Sequence, residues 1–244
     1  MIQYERRQQI LRYLEEHQSA TVRELAATVF ASEASVRRDL ESLEEQGHVR
    51  RTYGGVLLSQ YRNSVVPFDL RDAENSAAKE QIAKRAADMI PDGSTVMLDA
   101  SSTARRIVKY LAGRRDLKII TNSQKLFDEP VGAGIELYCT GGAYRPQNHD
   151  FVGAGAERYL AGVTADLLFF SSQGISEDGE ISDVSEEETS LRRVMLSRAK
   201  RKFFLCDASK LGVRRVFTLC YKDDLDGILC NVPLPWEDAF GGTS

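Results

Sequence analysis

Apolar residues recur at helical spacing three times within the first 45 positions. Ile10, Leu11 and Leu14 share one side of residues 4 to 16, Val22, Leu25, Ala26 and Val29 share one side of residues 22 to 29, and Val36, Leu40 and Leu43 share one side of the stretch after Ser32. This pattern predicts three amphipathic helices that need a common core. Thr21 with Glu24 three residues on forms a capping box that fixes the start of the second helix. Only Phe30, Ala31 and the candidate cap Ser32 separate the second helix from the third. So short a connection makes two helices cross steeply, as in helix-turn-helix units. Gly47 is a plausible stop for the third helix, and Gly54 with Gly55 offers the positive φ angles of a tight hairpin turn between Val49 and Leu58.

The third helix leaves Glu33, Ser35, Arg37, Arg38 and Ser42 facing outward, and the hairpin carries Arg50 and Arg51, with Tyr53 near its turn. An arginine-faced helix followed by an arginine-tipped hairpin reads as a DNA-binding winged helix. Arginine bridges guanine edges bidentately or clamps phosphate, and short hydroxyls such as those of Ser32 and Ser35 suit close approach to the backbone. Total charge does not argue for this: the first 60 residues hold eight arginines and no lysine against nine acids. No broad electrostatic footprint exists. Placement carries the case, since four arginines fall on the helix face and wing, while Glu15, Glu16, Glu44 and Glu45 are expected at helix ends away from it. A protein-docking helical module is the alternative reading.

These residues resemble the amino-terminal domain of the DeoR family of bacterial transcriptional regulators. The resemblance is carried by Ser35, Val36, Arg37, Arg38, Asp39, Leu40, Leu43, Glu44, Gly47, Arg50, Arg51, Gly54 and Gly55. It implies a double-stranded DNA operator as partner, with Glu33, Ser35, Arg37 and Arg38 in or beside the major groove and the wing on phosphates.

The 244 residues exceed what a winged helix uses and leave about 170 for a second domain with its own core. The expected division is a winged helix over 1–58, a linker and the start of a connecting helix over 59–75, and an α/β domain over 76–244. Pro67 is expected to open one long helix running through Phe68, Leu70, Ile82 and Met89 to Asp92 and Gly93. With no apolar signal region and no run of membrane-spanning length, the chain reads as cytoplasmic, on the nucleoid when bound to DNA, without a membrane partner. Cys139, Cys206, Cys220 and Cys230 stand singly in apolar runs, which suits buried thiols. His17, His48 and His149 are scattered, so no metal site and no cofactor are expected.

Beyond residue 75, short apolar strands alternate with helical patterns, implying a mostly parallel sheet covered on both faces. Five strands end in polar runs. Val96 to Leu98 lead into Asp99, Ala100, Ser101, Ser102 and Thr103; Leu117 to Ile120 into Thr121, Asn122 and Ser123; and Leu137 to Cys139 into Thr140, Gly141 and Gly142. Leu167 to Phe170 lead into Ser171, Ser172, Gln173 and Gly174, and Phe203 to Cys206 into Asp207, Ala208, Ser209 and Lys210. In an open α/β sheet a crevice lies beyond the carboxyl ends of the strands. Hydroxyls and amides there, with Lys210 or Arg145 for a phosphate and Asp99 or Asp207 for hydroxyls, suit a phosphorylated polyol. The competing reading is that such residues are ordinary turns and caps. Gly132-Ala133-Gly134 and Gly153-Ala154-Gly155 lack a dinucleotide fingerprint and read as turn and packing glycines.

Residues 76 to 240 are similar to the sensor domain of DeoR regulators, a relative of sugar-phosphate isomerases. The matching positions include Lys79, Ile82, Leu98-Asp99, Ser102-Thr103, Thr121-Asn122-Ser123, Gly141-Gly142, Phe151, Gly153, Gly174-Ile175, Glu188, Arg193 and Asp207-Ala208-Ser209-Lys210. The resemblance implies a pocket for a phosphorylated sugar or related small metabolite, with Glu188 among its residues, whose occupancy alters operator binding; a homodimer or homotetramer, holding two winged helices over paired half-sites, is expected to carry the response. Three departures stand out: Ser101 occupies a usual glycine position, Arg192 a usual lysine position, and the Ser171 to Gln173 loop is more polar than the common pattern. The overall expectation is an α/β protein: a winged helix-turn-helix, then an isomerase-like sensor domain, regulating carbohydrate or related metabolism as a repressor. The rival is a sugar-phosphate isomerase with a DNA-binding extension, using Asp99, Glu188, Asp207 and Lys210 as acid and base groups.

Overall fold

A computed structural model describes residues 3–17, 19–51, 55–58 and 68–235 of the chain. Two compact units divide at residue 75.

In the first unit, helices α1 (Gln3–His17), α2 (Val22–Thr28) and α3 (Glu33–Glu45) surround one core. Ile10, Leu14, Leu25, Val29, Val36, Leu40 and Leu43 fill it, with Leu11 partly buried beside them. The Thr21 hydroxyl accepts the Glu24 N–H while the Glu24 carboxylate accepts the Thr21 N–H, which closes the capping box. Ser32 caps α3 by accepting the Ser35 N–H. At its other end Gly47 takes φ 76°, and the N–H groups of Gly47 and His48 return to the carbonyls of Glu44 and Leu43. That arrangement satisfies two carbonyls the helix leaves open.

A small antiparallel sheet follows, ordered β1 (Ser19–Thr21), β3 (Gly55–Leu58), β2 (Val49–Arg51), with Val49 opposite Leu58. Gly55 is not a positive-φ turn residue as expected. It lies in β3, where an added Cβ would stand 2.2 Å from the Ala20 carbonyl oxygen, so only glycine lets β1 close against β3. Gly54 and Tyr53 lie outside the described residues.

The single long helix expected after Pro67 is instead two. Helix α4 (Phe68–Ala73) ends before Asn75, whose φ of 53° is left-handed, and α5 (Ser76–Asp88) begins one residue later. Asparagine tolerates that conformation, and the apolar pattern alone did not register it. Leu70 of α4 packs on Leu57 of β3.

The second unit is built on six parallel strands in the order β14-β12-β9-β4-β5-β6. They span β4 (Thr95–Leu98), β5 (Leu117–Thr121), β6 (Ile135–Cys139), β9 (Ala165–Phe170), β12 (Ala199–Cys206) and β14 (Gly227–Cys230). Side chains alternate between faces. Val96, Leu98, Ile119, Phe169 and Leu205 pack with α5 and with α6 (Ser102–Ile107). Met97, Ile120, Leu168, Phe170 and Phe204 pack with α7 (Ala154–Ala161) and α8 (Glu186–Arg198). Two smaller antiparallel groups complete the unit: the hairpin β7 (Ala143–Arg145) with β8 (Asp150–Val152), and β10 (Gly174–Ile175), β11 (Glu180–Asp183) and β13 (Phe217–Tyr221). All five strands with polar ends belong to the one parallel sheet, so those ends share one edge.

Candidate functional site

At that edge Asp99, directly after β4, is buried and fully engaged. It accepts N–H groups of Ser101 at 3.2 Å and Ser171 at 3.2 Å, and Arg192 Nε at 2.8 Å. Arg192, on α8 and 4% exposed, forks across three carboxylates, reaching Asp99, Asp183 at 2.9 Å and Glu188 at 2.8 Å. Burial opposes its charge, but these anions outweigh burial and raise its pKa further. Glu188 turns its other oxygen to Arg145 at 2.7 Å and Asn148 at 3.2 Å. Arg145 also pairs bidentately with Asp150 and reaches Glu187 and Ser185.

Lys210 stands apart from this lattice. Its Nζ donates to Ser171 Oγ at 2.5 Å and lies 4.0 Å from Asp207 Oδ2. Burial pushes the Asp207 carboxyl up, but the charge of Lys210, the Ser209 hydroxyl and Lys79 outweigh it, and the group sits below its ordinary value. Ser101 caps α6 by accepting the Ala104 N–H, so its hydroxyl has a structural task. Ser102 and Thr103 are buried in the first turn of α6. Thr121 Oγ1 accepts the Ser123 N–H, and Asn122 donates to the Phe151 carbonyl. Gly141 and Gly142 turn the chain at φ 63° and 113°. Three buried oxygens here lack a partner among the described residues: Asn122 Oδ1, Ser123 Oγ and Asn148 Oδ1. Ser123 bridges Asp150 in backbone register, which sets the end of β5 beside β8.

Two assignments change. Arg145 is committed to carboxylates and hydroxyls of the protein, so in this arrangement it orders Glu188 and Asp150 and is not a spare cation for phosphate. Asp99 likewise accepts three protein donors, one on Oδ1 and two on Oδ2. Sequence reasoning missed Asp150, Asp183 and Asn148, which sit on short antiparallel strands or turns without a helical or long apolar pattern. Arg192 had a readable signal in its four-residue spacing from Glu188.

In the first unit, Ser32, Glu33, Arg37 and Arg38 are exposed and Ser35 is half-buried along one face of α3. Arg37 pairs with Glu33 at 3.2 Å, and Arg38 donates from Nε to the Ala34 carbonyl. Asp39 points the other way: fully buried, it takes Arg6 Nε at 2.5 Å and Arg7 Nε at 3.3 Å. Those two arginines tie α1 to α3. Arg51 is held by Glu44 and Glu41, so Glu44 is not remote from the wing as expected. Arg50 has no carboxylate partner among the described residues.

Residues 6–61 match the DeoR-like helix-turn-helix domain, and residues 74–231 match the DeoR C terminal sensor domain. The chain belongs to the DeoR family of transcriptional regulators. It is 30% identical to the HTH-type transcriptional regulator GolR of Listeria innocua, over 93% of this chain and 89% of that one. It is 33% identical to the HTH-type transcriptional repressor GlcR of Bacillus subtilis, over 93% and 87%, and 34% identical to the transcriptional repressor AccR of Agrobacterium fabrum, over 84% and 81%. Among solved structures, a ribose 5-phosphate isomerase from Methanocaldococcus jannaschii aligns with 17% identity and TM-score 0.41, over 57% of this chain and 55% of that one, a likeness too distant to bear on function. This DeoR-family chain has no helix among its described residues long and apolar enough to cross a membrane.

Proposed function

We propose that this DeoR-family regulator is a repressor of carbohydrate or related metabolism whose grip on its operator is set by a phosphorylated sugar held at the carboxyl edge of the parallel sheet. The observation that carries the reading is the convergence there of five polar strand ends with three unpartnered buried oxygens. Each such oxygen costs about 1–3 kcal/mol when left unsatisfied, so a ligand rich in hydroxyls gains by donating to them. Asp207 accepts from hydroxyls, and Lys210 with the polar strand-end loops receives the phosphate. Arg145 and Arg192 hold Glu188 and Asp99 as oriented carboxylates.

The same saturation speaks against an isomerase. A general base needs a free oxygen facing the substrate proton, and Glu188 and Asp99 give theirs to arginines, Asn148 and backbone amides. The relatives named as repressors, GlcR and AccR, favour the same side.

On DNA, Arg37 and Arg38 of α3 read the major groove and the wing meets phosphate. A homodimer or homotetramer presents two such helices to paired half-sites, and the effector favours one spacing over another. Thermal-shift screening of phosphorylated sugars tests the sensor: a ligand at about 100 times its Kd stabilises the folded protein by about 2.7 kcal/mol. Lys210→Ala is expected to abolish that shift while the effector-free protein still binds operator DNA. Turnover of any pentose or hexose phosphate that Glu188→Gln eliminates would overturn the reading.

A further inference from the structure

Two thiols at the ends of β12 and β14 serve neither the DNA-facing helix nor the hydrogen-bonded lattice around Arg192. Cys206 and Cys230 are register partners on adjacent parallel strands, and both belong to the apolar cluster on the α7–α8 face of the sheet. Adjacent strands run about 4.8 Å apart. A disulfide spans Cα separations of roughly 4.4–6.8 Å and Cβ separations of about 3.5–4.5 Å, so this pair can close with a small inward shift of the two strand ends. The two are unequal. Cys206 is fully enclosed, while Cys230, 5% exposed, lines a cavity of about 260 Å³ with Arg85, Ile228, Asn231 and Pro233. The thiols donate to the Asp207 carbonyl at 3.4 Å and to Asn231 Oδ1 at 4.0 Å; their mutual proximity, with burial, pushes the Cys206 group up and draws Cys230 down to about 6.

We propose that Cys230 and Cys206 are a peroxide-responsive pair, Cys230 the attacked thiol and Cys206 the one that resolves it. The Cys230 thiolate attacks one oxygen of hydrogen peroxide, the O–O bond breaks, and Cys230 becomes a sulfenic acid with release of hydroxide. Cys206 then attacks that sulfur, the S–O bond breaks, and the leaving hydroxide takes the Cys206 proton as water. In sum two thiols and one peroxide give one disulfide and two waters. Cytosolic disulfides are mostly of this transient, sensing kind, and strained ones are the more readily reduced.

Oxidation here reaches the crevice by a short path. Cys206 immediately precedes Asp207, and Asn231, immediately after Cys230, accepts the Ala208 N–H at 2.9 Å. The turn from Asp207 to Lys210 is thus tied to both cysteines. Drawing the sulfurs to about 2.05 Å acts on the turn that carries Lys210.

The test uses the full-length reduced protein, treated with near-stoichiometric hydrogen peroxide, alkylated and digested without reductant. The expected product is a linked Cys206–Cys230 peptide pair lighter by two hydrogens and cleaved by dithiothreitol. It should form faster than any modification of the half-buried Cys139, because Cys230 has a resolving thiol as its register partner. In Cys206→Ala, Cys230 should stop as a sulfenic acid that dimedone labels. The linked pair is read on the wild type, so a poorly folding variant does not blunt the test. Oxidation of Cys139 without a Cys206–Cys230 link, or a link that forms only after thermal unfolding, overturns the proposal.

Discussion

Arg51 on the wing engages Glu44 on α3 twice, its backbone N–H meeting Oε1 at 2.7 Å and its Nε meeting Oε2 at 2.9 Å. Glu41 takes the remaining reach of the guanidinium at 2.9 Å. Arg51 therefore fastens the wing to the helix beside it, and Arg50 is the wing arginine better placed to meet phosphate. In salt titrations of operator binding followed by fluorescence anisotropy, Arg50→Ala should flatten the slope of log K against log salt by about 1. Arg51→Ala should leave that slope near the wild-type value and weaken all sequences alike. The opposite ranking would return Arg51 to the phosphates.

Asp39 sits within the Arg-Arg-Asp-Leu run, yet it belongs to the core and not to the DNA face. Its carboxylate is fully buried and holds two arginines of α1. Asp39→Ala should lower the stability of the first unit by about 1.5–3 kcal/mol, the usual range for hydrogen bonds to charged groups. Urea unfolding followed by far-ultraviolet circular dichroism measures it. DNA affinity should fall only as folding does, at denaturant or temperature where the wild type is still intact.

The helices of the first unit were legible because Ile10, Leu14, Leu25, Val36 and Leu40 repeat at a local period that burial then respects. The polar strand ends were legible for the same kind of reason, since each is adjacent in sequence to an apolar strand. What escaped is long-range. Nothing local places Arg6 on Asp39, Arg145 on Glu188, or Arg192 between Asp99 and Asp183; these pairs are separated by up to 93 residues. Several charged residues that the sequence offered as contacts for DNA or ligand, among them Arg51, Arg145, Asp99 and Glu188, are partners of the protein itself. Backbone effects were missed in the same way: Asn75 breaks a helix that apolar periodicity carried straight through.

Phe30 adopts φ 49° in the turn between α2 and α3 with 93% of its surface exposed. A left-handed conformation costs a bulky residue about 1–2 kcal/mol, whereas asparagine visits it readily. Phe30→Asn should therefore raise the melting temperature of the first unit, by an amount equivalent to at most about 1 kcal/mol. A lowered melting temperature would show that the ring makes a stabilising contact in the assembled protein.

Arg192 is shared by Asp99, Asp183 and Glu188. Arg192→Met would leave three buried carboxylates without their common cation, and breaking such a pair costs about 3–5 kcal/mol. Arg192→Lys restores the charge but not the planar fork. It should fall between wild type and Arg192→Met in thermal unfolding. Equal losses for both variants would place the weight on fork geometry rather than on charge.

Lys210 is one of the groups that hold the Asp207 carboxyl below its ordinary value of 3.8, against burial that pushes it the other way. A carboxyl with a depressed folded-state pKa stabilises the fold above its unfolded pKa, and that stabilisation is lost as pH falls through the folded value. Lys210→Met removes the largest of the lowering influences, so burial then raises the Asp207 pKa and its protonation begins at higher pH. The variant should melt below the wild type near neutral pH. As pH is lowered below the ordinary carboxylate value, through the depressed folded value of Asp207, the two melting curves should converge, because Asp207 then becomes neutral in both and no longer distinguishes them. A gap in melting temperature that stayed constant over the whole range would mean that Lys210 supports the fold by packing, and that its charge does not govern Asp207.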